Sequence, residues 1–504
     1  MRFSLISTFI CCLTAILFSM APLPAGWPAG LQIGMADAPG GAAAMKLTAP
    51  FGFRYQYLCA GVNTGSGWYT WNTNGDFVTY YIQNSVASAI TPVFTYYQIY
   101  QSKPGSTAGE SQAVLANLQT DSTMVAYYTD LKRFFQKAGA FPSAKVVLHV
   151  EPDMWGYMQQ KNGDNAASTV VRVTVPGFPE LSGLPNTASG FARALVALRN
   201  AYAPNVLLAY HLSLWGTNTD LNYSDPPDPV VDSLARRSAA FYNSLQAAFD
   251  LSFGEFTDRD SDFKRYQNGD NGASWWNAAD FARHARFLGV YSNAIHKRLV
   301  MWQIPYGNTK MRACDNTWGH YQDNRVEWFF DDSTRAHLDA YAQAGVAAFL
   351  FGGGASGTTS AGDAIGDDIT NPAPVNGNTL MSLSADDDGG FFRQKAAAYY
   401  SKGAMTLPIG IDPRVQPGLY AAPKPMPGLA RVMDGRVLFA GSVKSVSVFN
   451  VKGETLFRAS QSASSSRGMV WDFSTGRKTA AGVYLFILKQ TDGSTTAIRL
   501  PIIP

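Results

Sequence analysis

The segment KVVLHVEPDMWGYM, residues 145–158, constrains the fold of this chain most strongly. Its mostly apolar run 146–150 is typical of a strand buried on both faces of a parallel sheet. Pro152 ends strand pairing between two acids, Glu151 and Asp153. We therefore expect these acids at the carboxyl end of the strand, which in an α/β barrel is the end that carries the chemistry.

Similar apolar runs recur over about 350 residues, and most are separated by stretches with helical periodicity. This alternation favours an α/β fold with a single (β/α) TIM-like barrel. An eighth strand is not evident, which leaves a distorted or seven-stranded form of this barrel open. The seven strand candidates are residues 53–58, 91–100, 145–150, 206–212, 249–256, 298–304 and 346–351.

The N-terminal region and one later segment differ from the barrel in composition. Arg2, an apolar run and then small residues predict a secretory signal peptide over residues 1–25. An uncleaved membrane anchor is the alternative, although the run is short for a spanning helix. Residues 26–48, rich in Gly, Ala and Pro, predict a flexible lead-in to a barrel over residues 49–406, and residues 407–429 predict a Pro- and Gly-rich linker.

The last part of the chain, residues 430–504, has short runs in which apolar and polar residues alternate. This pattern predicts a small all-β sandwich. Within it, VSVFNVKGE (446–454) and WDFSTGRKTAAGVYLFIL (471–488) resemble the Ig-like sorting domains of type IX secretion and the related FlgD-like fold. The resemblance implies export across an outer membrane and attachment at the cell surface. An ordinary accessory β-sandwich is the alternative.

Composition and motifs exclude several classes of function. The formal net charge is +3 and no Lys/Arg cluster stands out, so nucleic acid is not an expected partner. There is no GxSxG elbow and no Gly-rich phosphate loop, which removes the usual signals of serine hydrolases and nucleotide-binding proteins. No HxxxH or HxH pairing favours a zinc site, and no cofactor is expected.

Removal of the signal peptide would leave two cysteines, Cys59 and Cys314. In an oxidising compartment they could form one disulfide. Two separate buried thiols fit the sequence equally well, because free cysteine often serves as a small core residue.

Carboxylic acids, tryptophans and amides gather where the expected strands end. Hydrolysis of a glycan needs one carboxylic acid to protonate the leaving oxygen and a second carboxylate as nucleophile or base. Glu151 lies between a histidine and a tryptophan, surroundings that raise a carboxyl pKa, and is the expected general acid. The other catalytic candidates are Asp153, Asp258 and Asp260. The expected substrate-binding residues are Trp68, Trp155, His211, Trp215, Glu255, Trp302, Gln303, Asn308, His320 and Asp323.

Each group of acids also has a non-catalytic interpretation. Glu151 could be a structural carboxylate in the barrel mouth. Asp258, Asp260 and Asp262 have the alternating spacing of a Ca²⁺-binding loop, so calcium binding or simple loop capping is an equal alternative there.

The segment VEPDMWGYM, residues 150–158, resembles the EPD strand end of the family-6 glycoside hydrolases, whose barrel is distorted and has seven strands. TDRD, residues 257–260, is similar to their aspartate-bearing DRD segment, although that family places DRD before EPD and this chain places it after. The resemblance implies a barrel glycosidase, with the acids of these two segments as its candidate catalytic residues.

The sequence thus predicts a secreted or cell-surface glycoside hydrolase that cleaves a polysaccharide or oligosaccharide. Two alternatives stay open: a non-catalytic surface glycan-binding protein on the same barrel, and a metal-assisted secreted hydrolase built around residues 258–262. No transmembrane segment is expected once the signal peptide is removed, and the C-terminal domain is expected to engage export machinery or the cell surface.

Overall fold

The computed structural model describes residues 20–310, 313–368 and 386–408, together with seven segments between residues 430 and 502. The chain divides into two compact units, residues 1–410 and 411–504, and each has its own hydrophobic core. Most of the expected signal peptide and almost all of the expected linker lie outside the described residues. Within the described part of the chain, no helix is both long and apolar enough to cross a membrane.

The first unit is a closed barrel of eight parallel strands, in which each strand pairs with its neighbours in chain order and the eighth returns to the first. Their side chains are almost all buried, which explains the continuous apolar runs in the sequence. The strands are β1 (Gln32–Ala36), β2 (Phe53–Leu58), β3 (Thr91–Tyr96), β4 (Val146–Val150), β5 (Val206–Leu212), β6 (Leu251–Glu255), β7 (Leu299–Ile304) and β8 (Val346–Phe351).

All seven predicted strands and the TIM-like barrel are confirmed, and an eighth strand closes the barrel, which rules out the seven-stranded form. The missing strand is β1, which lies in the segment expected to be a flexible lead-in, residues 26–48. β1 has only five residues, one of which is Gly34. Because Gly, Ala and Pro residues surround it, so short an apolar run is not recognisable as a strand in the sequence. Gly34 is needed there because a Cβ would lie 2.5 Å from the Phe53 carbonyl oxygen and 2.7 Å from the Leu350 side chain.

Helices follow the strands and supply apolar side chains to the core around the barrel. α9 shows how local sequence sets a boundary, because Asn277 and Asp280 form a reciprocal capping box at its start. The helices are α1 (Ala42–Thr48), α2 (Phe77–Ala87), α3 (Glu110–Leu118), α4 (Asp121–Gly139), α5 (Met154–Asn162), α6 (Ala188–Tyr202), α7 (Asp228–Ser244), α8 (Ser261–Phe263), α9 (Ala278–Ile295), α10 (Arg325–Phe330), α11 (Ala336–Gln343) and α12 (Phe391–Ser401).

Two segments from near the beginning and the end of the described part of this unit meet beside β1. The Leu31 amide donates to the Met405 carbonyl at 2.7 Å, and the Leu407 amide donates to the Ala29 carbonyl at 2.9 Å. The Tyr399 hydroxyl of α12 donates to the Leu31 carbonyl at 2.8 Å. The segment after α12 therefore fixes the first strand in place.

Residues 20–25, the end of the expected signal peptide, also contact the barrel. Ala21 is buried, and its carbonyl accepts a hydrogen bond from the Arg298 guanidinium at 2.6 Å. The same guanidinium donates to the Pro408 carbonyl. Arg298 thus joins segments from both ends of this unit.

The described part of the second unit is all-β, as predicted. One antiparallel sheet has the strand order β13-β10-β9 and the other the order β12-β11-β14-β15. Residues from both sheets, among them Phe439, Val446, Trp471 and Phe486, form its hydrophobic core. The strands are β9 (Ala430–Met433), β10 (Arg436–Phe439), β11 (Val443–Phe449), β12 (Thr455–Ser460), β13 (Val470–Asp472), β14 (Gly482–Gln490) and β15 (Thr495–Ile502).

Replacing Gly34 by valine tests whether β1 closes the barrel. The valine side chain would overlap the Phe53 carbonyl oxygen and the Leu350 side chain. We therefore expect the free energy of unfolding to fall by at least about 2 kcal/mol. Urea unfolding followed by tryptophan fluorescence measures this change. Gly362→Ala is the control, since a Cβ at Gly362 has no neighbour within 4 Å. Equal stability of the two variants would contradict a packed first strand.

Candidate active site

A cavity of about 610 Å³ opens at the carboxyl ends of the strands. It is lined by acids, amides and aromatic rings from the strand ends and the loops that follow them. Such a position is where barrel proteins place their chemistry. The lining residues are Tyr57, Cys59, Tyr97, Gln101, Glu110, Pro152, Asp153, Tyr157, Trp215, Asp220, Asn222, Tyr223, Glu255, Thr257, Asp258, Arg259, Lys264, Trp302, Gln303 and Gly354.

Asp153 and Glu255 line this cavity, and the buried His211 lies beside both of them. They come from three adjacent strands: Asp153 follows β4, His211 lies in β5, and Glu255 ends β6. One carboxylate oxygen of each acid and a ring nitrogen of His211 all lie within 4.8 Å of one another. Among the described residues this is the group of side chains best placed to hold a metal ion. The sequence does not predict it, because the three residues are far apart along the chain.

The backbone after β4 directs Asp153 into the cavity. The buried Glu151 carboxylate accepts hydrogen bonds from the backbone N–H groups of Gln98 and Ile99 at 3.2–3.3 Å. Glu151 and Asp153 both have positive φ angles, 49° and 69°, on either side of Pro152. Such conformations are strained for non-glycine residues and persist only where surrounding contacts enforce them. The Glu151 carboxylate supplies such contacts.

Electrostatics raise the pKa of both acids at the cavity floor. Burial raises the pKa of Asp153, and the nearby charge of Glu110 raises it further. Burial also raises the pKa of Glu255, and the charge of Asp153 adds to that effect. The Tyr97 hydroxyl donates to the Glu110 carboxylate and holds it at the cavity wall. Two close acids in this environment retain a shared proton at a higher pH than isolated carboxyl groups would.

Two buried polar residues, His149 and Thr95, form a column of hydrogen-bonding groups below His211. His211 Nδ1 lies 2.9 Å from His149 Nε2, and His149 Nδ1 lies 3.3 Å from Thr95 Oγ1. The His149 ring stacks on Phe253 with centroids 4.3 Å apart and meets the edge of Trp302 at 4.8 Å. Burial lowers the pKa of His211 to about 3, so the imidazole is neutral at physiological pH.

Aromatic rings form much of the cavity wall. Tyr57 and Trp302 lie on one side, with ring centroids 5.7 Å apart. Tyr157 and Trp215 form a second pair at 4.7 Å. Tyr223 also lines the cavity and is 45% exposed. Flat faces of this kind suit a ligand with apolar C–H surfaces and several hydroxyl groups.

The loop after β8 must pass close to Gln303. A Cβ at Gly354 would lie 1.5 Å from Gln303 Nε2 and 2.8 Å from the Asp258 carbonyl oxygen. Gln303 itself has a positive φ of 58°. The absence of a side chain at Gly354 therefore leaves room for the Gln303 amide at the cavity wall.

Asp258 also lines the cavity, where it pairs with two cations. Its carboxylate forms an ion pair with Arg259 and lies 3.3 Å from Lys264 Nζ. Lys264 in addition donates to the Tyr223 hydroxyl at 2.5 Å. The positive charges of this wall are thus already partnered within the protein.

The structure gives Glu151 a different position from the one expected of a general acid. The side chain is buried and does not line the cavity, because its carboxylate is turned onto the backbone of the loop after β3. Burial does raise the pKa of Glu151, to about 8, as the sequence analysis expects. The structural alternative for Glu151 fits the geometry, and the acids that face the cavity are Asp153 and Glu255.

Asp260 and Asp262 do not form a calcium loop with Asp258. Asp260 is buried and accepts hydrogen bonds from the backbone N–H groups of Gly307 and Thr359, at 3.0 and 2.8 Å. The Asp262 carboxylate instead accepts from the Trp275 indole at 2.7 Å. Each acid has different partners, so loop capping describes them better than a shared cation or a catalytic role for Asp260.

Two tryptophans that the sequence predicts to bind substrate lie in the hydrophobic core instead. The fully buried Trp68 donates its indole N–H to Asp130 at 2.7 Å. Trp155, also fully buried, donates to the Val150 carbonyl at 3.0 Å. Neither lines the cavity, whereas the predicted residues Trp215 and Trp302 do.

Three further residues that the sequence predicts to bind substrate instead form hydrogen bonds or ion pairs within the loops around the barrel. Asn308 donates to the Asp388 carbonyl at 3.2 Å. His320 is bound through Nε2 to Asp367 at 2.9 Å. Asp323 is buried and pairs with Arg325 at 2.6 Å. None of the three lines the cavity.

Sequence reasoning missed several cavity residues. Tyr57 lies at the end of β2 and Tyr97 directly follows β3. Their positions at strand ends are a sequence signal by which both could have been predicted. Glu110 begins α3, and Asp220 and Tyr223 lie in the long loop after β5, where no local pattern marks them.

Cys59 and Cys314 are free thiols and do not form the disulfide that the sequence allowed. Cys59 lines the cavity, and burial raises its pKa. Cys314 is buried, and its sulfur accepts from the Asn308 backbone and side-chain N–H groups at 3.4 Å.

Several solved structures resemble this chain, and glycoside hydrolases are prominent among them. GH26C from Muricauda sp. is 11% identical, with a TM-score of 0.40 and coverage of 78% of this chain and 88% of its own. A GH5 xyloglucan-specific β-1,4-glucanase from a ruminal metagenomic library is 12% identical, with a TM-score of 0.40 and coverage of 75% and 89%. Morphinone reductase is also similar, at 12% identity and a TM-score of 0.33, with coverage of 66% and 87%. At these values the likeness carries no argument about activity.

No protein-family model matches the sequence, and no curated protein is significantly similar to it. The chemistry of the site therefore has to be argued from its own residues.

Replacing Glu151 by alanine tests its structural role. The change leaves two buried N–H groups without their acceptor, so we expect the free energy of unfolding to fall by about 2–4 kcal/mol. Urea unfolding measures it. Asp121→Ala, which removes an exposed carboxylate, is the control and should change stability by less than about 0.5 kcal/mol. A stable Glu151→Ala protein would contradict this role.

Proposed function

We propose that this protein is a glycoside hydrolase that uses Asp153 and Glu255 as its catalytic carboxylates. One observation carries the proposal: two partly exposed acids at the carboxyl ends of β4 and β6, on either side of β5, have carboxylate oxygens within 4.8 Å of each other in an aromatic-lined cavity. Retaining glycosidases hold their two carboxyl groups about 5–5.5 Å apart, and inverting ones about 6.5–9.5 Å apart. The short separation supports a retaining double displacement.

In this mechanism Asp153 attacks the anomeric carbon while Glu255 protonates the glycosidic oxygen. The glycosyl–Asp153 ester is then hydrolysed by water, which Glu255 deprotonates. The role of Glu255 as acid rests on its surroundings, because burial and then the charge of Asp153 are the main causes that raise its pKa.

The charge of the cavity bears on the class of glycan. Both cations, Arg259 and Lys264, are paired with Asp258. The surplus of carboxylates favours a neutral or basic glycan over a polyanionic one, since a uronate polymer would be repelled. The lining carboxylates are those of Glu110, Asp153, Asp220, Glu255 and Asp258.

A non-catalytic glycan-binding protein is the second candidate. It would need the aromatic walls but has no use for two acids held in close contact, since their mutual repulsion disfavours the folded state. The acid pair therefore favours catalysis.

Secretion, location at the cell surface and an export role for residues 430–504 belong to the same proposal. They rest on the signal-peptide pattern and on the resemblance of the C-terminal segments to sorting domains. The described part of that unit is all-β, which is compatible with this role.

Asp153→Asn and Glu255→Gln test the proposal directly. Each removes one carboxylate with little change in shape, and we expect reducing-sugar release from the best substrate in a panel of neutral plant, fungal and bacterial polysaccharides to fall by about 10³-fold or more. On an aryl glycoside with a good leaving group, Glu255→Gln should keep far more activity than Asp153→Asn, because that leaving group needs no protonation.

Asp121→Asn is the matched control, because it neutralises an exposed carboxylate of α4. Full activity in either site variant would contradict the assignment of that residue. Retention of one polysaccharide by wild type and variants, without release of sugar by any of them, would favour the binding protein.

The stereochemistry of hydrolysis tests the carboxylate separation. Because one oxygen of each acid lies within 4.8 Å of the other, which is nearer to the spacing of retaining enzymes than to that of inverting ones, we expect the first product to keep the anomeric configuration of the substrate. Proton NMR of the anomeric region immediately after mixing measures it. An inverted first product would mean that Asp153 and Glu255 are not acting as this pair.

Glu110→Gln tests the electrostatic coupling. The charge of Glu110 raises the pKa of both Asp153 and Glu255, so its removal makes both acids easier to ionise. We therefore expect the pH profile of kcat/KM to move to lower pH, while the amide keeps the hydrogen bond from Tyr97. A profile that stays in place or moves to higher pH would contradict the coupling.

A further inference from the structure

His211 has an unused ring nitrogen in the most carboxylate-rich part of the barrel. Its Nδ1 is 2.9 Å from His149 Nε2, whereas its Nε2 has no hydrogen-bond partner among the described residues. The side chain is fully buried. A buried imidazole nitrogen without a partner costs free energy unless a ligand satisfies it.

We infer that Asp153, His211 and Glu255 form a binding site for a divalent transition-metal ion. Their three donor atoms lie within 4.8 Å of one another, so a point exists within about 2.8 Å of all three. Zinc–nitrogen and zinc–carboxylate distances are about 2.0–2.2 Å. Side-chain rotations that shorten each distance by less than 1 Å bring the ligands to bonding range. The open cavity leaves further positions for water.

The column below His211 has the arrangement of an outer shell for a metal ligand. If His211 Nδ1–H donates to His149 Nε2, then His149 Nδ1–H donates to Thr95 Oγ1, and every N–H of the column has an acceptor. This tautomer leaves the Nε2 lone pair of His211 available for a cation. Metal-binding histidines are commonly oriented in this way by a hydrogen bond from their second nitrogen.

The donor set selects the class of metal. A neutral imidazole and two carboxylates suit Zn²⁺ and its first-row neighbours. Ca²⁺ and Mg²⁺ prefer oxygen ligands only, so they gain little from His211. A cation would also relieve the repulsion between Asp153 and Glu255.

The ion would occupy the two carboxylates that the proposed hydrolysis requires. Resting on that proposed function, we expect the metal to compete with the glycan. It would prevent attack by Asp153 and protonation by Glu255 until it dissociates.

Metal binding is tested on the full chain, independently of any hydrolysis. Isothermal titration of EDTA-treated protein with Zn²⁺ should show one site, and His211→Gln should weaken its affinity by more than tenfold. Glu255→Gln should weaken it similarly, which keeps the test valid if His211→Gln fails to fold by circular dichroism. His296→Asn is the control, because it removes an exposed histidine whose positive φ of 51° asparagine accepts. Equal affinity in wild type, His211→Gln and Glu255→Gln, or no binding by wild type, would overturn the site.

Hydrolysis provides the second readout. Added Zn²⁺ should raise KM for the glycan without lowering kcat, EDTA should reverse the effect, and Mg²⁺ should have none. Zinc binding that leaves hydrolysis unchanged would overturn the competition while supporting the site. Loss of hydrolysis on EDTA treatment would also overturn the competition, since the metal would then be required. If no glycan is cleaved, the proposed function fails, and the titration alone still decides the metal site.

Discussion

The hydrogen bonds from two backbone N–H groups to the Glu151 carboxylate are the constraint on which the candidate site depends. They fix the chain where β4 ends and allow two strained residues to flank Pro152. Without this anchor nothing in the local sequence would hold Asp153 in a left-handed conformation, and its carboxylate would lose its approach to Glu255. A buried acid outside the cavity thus determines where an acid inside the cavity lies.

The floor of the cavity combines acids that resist ionisation with histidines that resist protonation. Both effects have one cause, burial at the barrel mouth, which disfavours the charged form of either group. The result is a set of carboxyl groups and imidazoles that can each accept or release a proton. Such an arrangement suits proton transfer to a leaving group, and it also explains why the same three side chains could capture a cation.

Much of the barrel is predictable from sequence, because strands buried on both faces leave continuous apolar runs, and seven of the eight were identified. β1 escapes because Gly34 interrupts a five-residue strand within a Gly- and Ala-rich segment. At the site, the position of Asp153 follows from Pro152. The roles of Trp68 and Trp155 do not follow from the sequence, because there a tryptophan that donates to a buried acceptor looks the same as one that binds a ligand. Glu110 reaches the cavity only through tertiary packing, which no local pattern reports.

The hydrogen bonds between residues 29–31 and 405–407 have a consequence for the architecture of the chain. Because these two segments are paired, the beginning and the end of the described part of the barrel unit are adjacent in space. A unit with adjacent ends can be circularly permuted, with the old ends joined and new ones opened in an exposed turn. It can equally be inserted into a surface loop of another protein.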